Sequence, residues 1–456
     1  MSAALTTGAA PVLEALRSSM DGVVPAVMTT VSAAGVPNVA YLSQVEYVDP
    51  QHVALSFQFF NRTRANVLAT RRAVVLVVDP VTAQQARLHI EYDHTEDSGP
   101  LFERMRAKLA GIASHTGMDG VFRLLGSDVY RVRAIELVPG RTLPPAPPRC
   151  ARGPLLRSAS EHLAACSTLE ALIDETMACL RDRLGLPHAL LLLADPSRQR
   201  LYTVASFGYA GSGLGSEIEW GQGIIGVAAR ERSAIRIGHA TTAYRYARAM
   251  RDAAAASGLA DPAHADIPLP GLADARSQLA VPLLAGGRVQ GVLFVESTED
   301  LFFDYDDEDL LATLGTQIGA GIALLQSATD VADDPSTTAV ERTVPSGPPL
   351  VVRHFAPNDS VFLDDDYLVK GVAGAIFWKL ARSVVDEGRD SFSNRELRLD
   401  ARLGLPEVAD NLEARLILLA RRLDERGAGV RIEKTGRGRF RLDLQRSLKL
   451  VELPVG

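Results

Sequence analysis

Five cations crowd one short stretch of this 456-residue chain: Arg431, Lys434, Arg437, Arg439 and Arg441, around the turn Thr435-Gly436-Arg437-Gly438. Guanidinium and ammonium groups spaced along a tight hairpin suit contacts to phosphate. A second basic spot is Arg62-Thr63-Arg64, where an apolar strand gives way to a helix. A helix N-terminus beside a guanidinium fork makes a good site for a dianion. Its plain alternative is a pair of solvated helix-start charges. Metal and thiol chemistry find less support. Cys150, Cys166 and Cys179 are isolated, with no CxxC and no nearby paired histidine, so neither a disulfide framework nor a zinc site is expected. His239 and His264 fall with Tyr244 and Tyr246 in a long loop, 237–276, with no clear element of its own. A lone histidine in such a loop is more often solvated than a ligand.

The chain is too long for one hydrophobic core, so several domains must carry these groups. Hydrophobic residues make up 47% and charged residues 23%, an ordinary globular balance. A net charge of −7 argues against the whole chain coating nucleic acid or anionic membrane, while local basic patches stay open. No segment is apolar enough to span a bilayer, and the first residues lack a charged region followed by an apolar stretch. A cytoplasmic protein is expected. Two stretches read as linkers: the proline-rich 139–154 and the polar 327–349. They leave blocks at 10–138, 155–326 and 350–454, a multi-domain α+β chain.

In the first block, residues 23–31, 37–48, 52–58 and 73–79 are short, β-branched and bounded by turns. Residues 86–93 alternate polar and apolar as a half-buried strand does, and 128–137 supplies another. Helices fit 63–71 and 101–113. Many short strands with few helices favour a closed barrel. With Phe59-Phe60-Asn61-Arg62-Thr63-Arg64-Ala65-Asn66-Val67-Leu68 after the third strand, the block resembles the pyridoxamine 5'-phosphate oxidase-like FMN-binding split barrels. The resemblance implies FMN as cofactor. Arg64 would then grip its phosphate, Arg62 and Thr63 would stand beside it, and Ser43 and Gln44 would meet the ring or ribityl chain. No catalytic base for pyridoxamine oxidation is identifiable.

The second block opens with helical spacing over 156–184, then strands at 188–194 and 200–206. Gly221-Gln222-Gly223-Ile224-Ile225-Gly226 opens a short helix, strands recur at 277–284 and 289–296, and a helix over 306–326 closes the block. Together with Ser277-Gln278-Leu279-Ala280-Val281-Pro282-Leu283, Gly291-Val292-Leu293 and Phe303…Asp307, this succession resembles GAF domains, α/β/α sandwiches that hold small molecules such as cyclic nucleotides, bilins, haem or nitrogen metabolites. The Asn-Lys pair of cyclic-nucleotide GAF domains is replaced here by Glu296-Ser297. An empty, purely dimerising GAF domain is the structural alternative. The apolar stripe Leu310, Leu311, Leu314, Ile318, Ile322 and Leu325 suggests pairing of this helix with its copy in a homodimer.

The third block reads as a helix over 369–387, a second helix begun by the capping box Ser393-x-x-Glu396, a third to Arg426, and a hairpin of 430–434 and 439–444. Arg421-Arg422-Leu423 and Thr435-Gly436-Arg437-Gly438-Arg439-Phe440 make it resemble the response-regulator (OmpR-like) winged helix. That resemblance implies DNA contact through Arg437, Arg439, Lys434 and Arg421. The third helix fits less well. At 100° per residue Leu412, Leu416, Leu419 and Leu423 share a buried side, which leaves Ile417 and Leu418 on the open side. Base edges are read by Arg, Asn or Gln, whereas an exposed apolar face marks a protein contact. The leading expectation is a ligand- or redox-sensing regulator, a transcriptional one, with a GAF domain and a flavin-binding barrel controlling a winged helix. The alternatives are a signalling scaffold whose Ile417 and Leu418 bind a protein, and an FMN-dependent oxidoreductase with regulatory domains.

Overall fold

The computed structural model describes residues 12–58, 62–116, 123–146, 151–239, 267–329, 347–400, 403, 412–436 and 438–453. Its architecture is multi-domain α+β. Ser43 and Gln44 decide the shape of the first sheet. The strand expected over 37–48 is two, β2 (Pro37–Leu42) and β3 (Val45–Asp49), parted at that pair. With β1 (Ala26–Val31), β4 (His52–Phe57), β5 (Arg72–Val78), β6 (Gln85–Glu96) and β7 (Gly126–Val138) they form an antiparallel sheet ordered β2-β1-β5-β6-β7-β4-β3. β2 and β3 are its two edges, yet only two residues join them, a link of roughly 10 Å. Held flat, the edges would lie roughly 30 Å apart at the usual strand spacing. The sheet must curl. Met28, Val53, Leu55, Val75, Leu88, Ile90 and Tyr130 fill its inner side. Helix α1 (Arg62–Thr70) follows β4, and α2 (Pro100–Thr116) covers the outer side with Met105 and Leu109 against Ala54 and Val129.

The helical spacing read over 156–184 belongs chiefly to two helices, α3 (Arg152–Ala164) and α4 (Leu169–Ala178). Thr168 separates them by capping α4, its hydroxyl accepting the Ala171 N–H at 3.2 Å. Six antiparallel strands follow: β8 (His188–Asp195), β9 (Arg200–Phe207), β10 (Glu217–Glu219), β11 (Ile235–Ile237), β12 (Ser277–Ala285) and β13 (Arg288–Ser297), ordered β10-β9-β8-β13-β12-β11. Buried on both faces, β8 reads as a continuous leucine run and shows no alternation. Leu191, Leu193, Val281, Leu293 and Val295 pack with α3, α4 and α6 (Tyr305–Thr329). Leu190, Leu192, Val292 and Phe294 pack with α5 (Gly223–Glu231). The stripe expected to pair α6 with a second copy is part of this core: Leu310, Leu311, Leu314, Ile318 and Ile322 are all buried within the chain itself. The homodimer reading loses that surface.

Helix α2 of the first module lies on α5 and β11 of the second. Gly111 permits the approach, since a Cβ there would collide with Cγ2 of Ile235. Beside it a buried ionic cluster ties the two modules. Arg236 donates to Asp21 at 2.6 Å and to Glu308 at 2.8 Å, and Lys108 lies 3.2 Å from Glu46 and 3.4 Å from Glu308. The Tyr305 ring lies 4.2 Å beneath the Arg236 guanidinium.

The third module holds more strands than its sequence suggested. β14 (Leu350–Phe355), β15 (Ser360–Leu363) and β16 (Asp366–Val369) precede the long helix, α7 (Gly371–Glu387). β17 (Ser391–Ser393), α8 (Asn394–Leu399), α9 (Leu412–Arg426), β18 (Val430–Gly436), β19 (Arg439–Leu444) and β20 (Leu448–Glu452) complete it. The sheets are ordered β16-β15-β14-β20, with β14 and β20 parallel, and β17-β19-β18. Ser393 caps α8 by accepting the Glu396 N–H at 3.2 Å, while the Glu396 carboxylate turns to Arg389.

Candidate functional site

Strand register gathers three polar side chains on the central sheet. Gln278 of β12 pairs with Glu296 of β13, and Glu296 pairs with His188 of β8. Paired residues share a face, so the three form one row across the sheet. Glu296 is 0% exposed. Its carboxylate accepts the Leu272 N–H at 2.8 Å and the Gln278 amide N–H at 2.9 Å, which offsets part of the cost of burying it. The Gln278 Oε1 and His188 Nδ1 atoms are buried and have no hydrogen-bond partner. Tyr209 stands beside His188, ring centroids 5.4 Å apart. Unpaired buried polar atoms next to a buried carboxylate are the arrangement a polar ligand completes. His239, by contrast, is exposed and pairs with Asp300 at 2.7 Å. Tyr244, Tyr246 and His264 lie outside the described residues. Among the described residues no three His, Cys, Asp or Glu side chains gather as a metal ion would require.

A second constellation joins the central module to the third. Helix α9 is covered on both sides: Leu412, Leu419 and Leu423 are buried, and so are Ile417, 3% exposed, and Leu418, 2% exposed. The expectation that Ile417 and Leu418 stand open is therefore corrected. They belong to the same continuous apolar cluster as α4 and β9 of the central module, and the chain itself covers them. Polar contacts fix the docking. Arg415 donates to Asp195 at 2.5 Å, both side chains under a tenth exposed, and its guanidinium lies 3.8 Å from the centre of the Tyr202 ring. Arg421 donates to the Val204 carbonyl at 3.0 Å and to Asp174 at 2.5 Å. Glu425 accepts from Ser212 at 2.5 Å, and Lys434 of the hairpin pairs with Glu170 of α4 at 2.7 Å. Arg422 faces inward and donates to the Leu368 and Tyr367 carbonyls.

Of the residues expected to meet DNA, Arg421 and Lys434 thus engage the central module in this conformation. Arg439 is half-buried with its Nε unpartnered, and Arg437 lies outside the described residues. Arg415 and Asp195, the most buried pair of the junction, were not singled out from sequence. Arginine at an inward position of an otherwise leucine-rich helix was the available signal.

The expected flavin residues do not converge on a phosphate. The Arg64 guanidinium pairs with Asp128 of β7 and donates to Thr95 at 3.1 Å, stacked 3.8 Å above the Phe57 ring. Asp128 is itself buried and also accepts from Thr95. A phosphate dianion brought to Arg64 would meet that carboxylate, so the residues as arranged do not fit one. Arg62 is exposed, and Thr63 accepts from Asn38 at 2.9 Å. Gln44 is buried with neither amide atom bonded, while Ser43 is exposed. Both lie in the two-residue link between β2 and β3, one turned to solvent and the other inward.

A family model described as a GAF domain matches residues 166–323. Among solved structures, the GAF domain of an Acinetobacter phosphoenolpyruvate-protein phosphotransferase is similar at 22% identity, covering 40% of this chain and 95% of that one, with a TM-score of 0.31. A free methionine-R-sulfoxide reductase from Neisseria meningitidis, in complex with its substrate, is similar at 22% identity over 38% of this chain and 89% of that one, TM-score 0.29. An FMN-binding protein from Syntrophomonas wolfei subsp. wolfei is similar at 20% identity over 28% of this chain and 86% of that one, TM-score 0.24. No curated protein matches the chain. No described helix is long and apolar enough to cross a membrane.

Proposed function

We propose that the GAF domain of residues 166–323 senses a small polar molecule and answers it by holding or releasing the carboxyl-terminal module through α9. The burial of Ile417 and Leu418 against the GAF domain is the observation that carries the reading. Two modules joined only by a tether would leave that face to solvent. The row of His188, Glu296 and Gln278 is the sensing site in this reading, and β8, which bears His188 at one end and Asp195 at the other, is the route to α9. A ligand shifts the balance only by binding one state better than the other.

The output in this reading is winged-helix contact with DNA, as in a transcriptional regulator. Lys434, Arg421 and Arg439, with Arg437, would face phosphates after release; while docked, Glu170 and Asp174 hold two of those cations. The test is a gel shift at low salt with mixed-sequence duplex, wild type beside Asp195→Asn. Binding gained by the variant supports gated DNA contact. No shift from either protein would exclude DNA and leave the released apolar face to a protein partner, the scaffold reading.

The amino-terminal module enters as a curled-sheet support of the GAF domain. Flavin-dependent oxidoreduction is the least favoured activity because Asp128 already neutralises Arg64. Self-association, with α6 committed to its own core, falls to the β1–β2 hairpin, where Val39 and Tyr41 are exposed, Tyr41 to 80%. The regulator would act in the cytoplasm.

A further inference from the structure

A cavity of about 630 Å³ opens between the GAF domain and the docked module. Leu169 of α4 and Leu325 of α6 form one wall; Leu416 and Ile417 of α9, with Ile432 and Phe440 of the hairpin, form the other. That volume falls in the range of small-molecule sites, about 300–1,000 Å³. Four charged side chains line it: Glu170, Glu413, Lys434 and Arg439. Glu170 and Lys434 neutralise one another at 2.7 Å. Arg439 also lines the cavity, and its Nε is buried without a hydrogen-bond partner. A buried guanidinium nitrogen with no acceptor is costly, and a carboxylate satisfies it with two parallel bonds.

We infer that this junction is a second ligand site, built for an anionic amphiphile: a carboxylate on Arg439 with an aliphatic body along Leu169, Leu325, Leu416, Ile417, Ile432 and Phe440. It is distinct from the His188–Glu296–Gln278 row, where the unpartnered Gln278 Oε1 beside the Glu296 carboxylate suits a donor-bearing ligand. Because both modules supply its walls, the occupied site exists only while α9 is docked. Such a ligand acts as glue, and at a hundred times its Kd it shifts docking about a hundredfold. It also takes the arginine that DNA phosphate would use, so occupancy opposes the proposed output twice over. The inference rests on the docking proposed above.

Full-length protein titrated with decanoate by calorimetry, followed by hydrogen exchange of α9, tests it. Expected are one decanoate per chain, about tenfold or more weaker binding in Arg439→Gln, loss of binding in Ala420→Phe, which fills the cavity, and weaker binding of uncharged decanol. Exchange of residues 412–426 should slow as decanoate is added. Melting curves establish that both variants are folded. Decanoate binding unchanged by both substitutions, equal binding of decanol, or no binding at millimolar decanoate overturns the inference. If α9 is protected without ligand but decanoate does not bind, only the second site fails. Freely exchanging α9 in the wild type would sink the docking itself.

Discussion

Replacing Arg415 with methionine should release α9 from the GAF domain while leaving that domain folded. The pair it breaks joins two modules across a 2.5 Å contact with both side chains under a tenth exposed. Removing one partner of a buried ion pair costs about 3–5 kcal/mol, mainly through the charge left behind. Two features place this case at the low end. Asp195 retains the Ser197 hydroxyl at 2.6 Å and the Arg198 N–H at 3.3 Å. Methionine also keeps apolar contact with the Tyr202 ring, losing only the cation's attraction to it. About 3 kcal/mol corresponds to a shift in docking on the order of a hundredfold. Hydrogen exchange read by mass spectrometry would measure it, with peptides over 412–426 reporting α9 and peptides over β12 and β13 serving as internal reference. α9 should exchange on the order of a hundred times faster while the reference peptides hold. Asp195→Asn should act in the same direction, since it strands a buried guanidinium. Unchanged α9 exchange in a folded Arg415→Met protein would refute the assignment of the pair as the fastening of this junction.

Acid should loosen the contact between the first and second modules. Burial alone would raise the Glu308 carboxyl, but Lys108 and Arg236 outweigh it and hold the group below its ordinary value of 4.5. Its contribution is therefore complete above that value and lost as pH falls through the depressed one. Asp21, raised chiefly by burial against the pull of Arg236, has the opposite sign and partly masks the loss. The melting difference between wild type and Glu308→Gln should hold above the ordinary value of 4.5 and shrink as pH falls below it, and a constant gap would contradict the argument. Asp128→Asn should free Arg64 and increase FMN affinity relative to wild type, read by quenching of flavin fluorescence; a wild-type chain that purifies with stoichiometric flavin would contradict the neutralisation of Arg64. Val39→Lys with Tyr41→Glu should convert a dimer to a monomer by light scattering on a sizing column. A dimer that survives both places self-association elsewhere.

The GAF domain was legible because its signals are local: glycine turns, a long leucine strand, and an amphipathic helix in a fixed order. What escaped reading were relations between distant segments. Nothing near Arg64 in sequence announces Asp128, which β7 brings beneath it after two intervening strands. Helix α9 was read as if it had one buried side and one wet side, yet leucine or isoleucine lies on both. A turn that is apolar all round is a buried turn, and that pattern was present in Leu416-Ile417-Leu418-Leu419, within an otherwise charged helix. The row of His188, Glu296 and Gln278 depends on the register of three strands spread over more than a hundred residues. β15 and β16 were missed because each has only four residues and an Asp364-Asp365-Asp366 turn lies between and within them.

The glycine at 111 makes the first two modules mechanically one. Backbone of α2 rests on Ile235 with no side chain between them to slide or compress, and Ala107 joins the same apolar cluster one turn away. A hinge there has nothing to swing through. In the proposed signalling the amino-terminal sheet would be a footing for the GAF sheet, against which movement at its far end could be delivered to α9 without being absorbed behind it. Deleting the amino-terminal module, rather than merely cutting the connection, would leave Ile235 and the α5 face bare to water, and a GAF domain stripped this way should be sticky and no longer push.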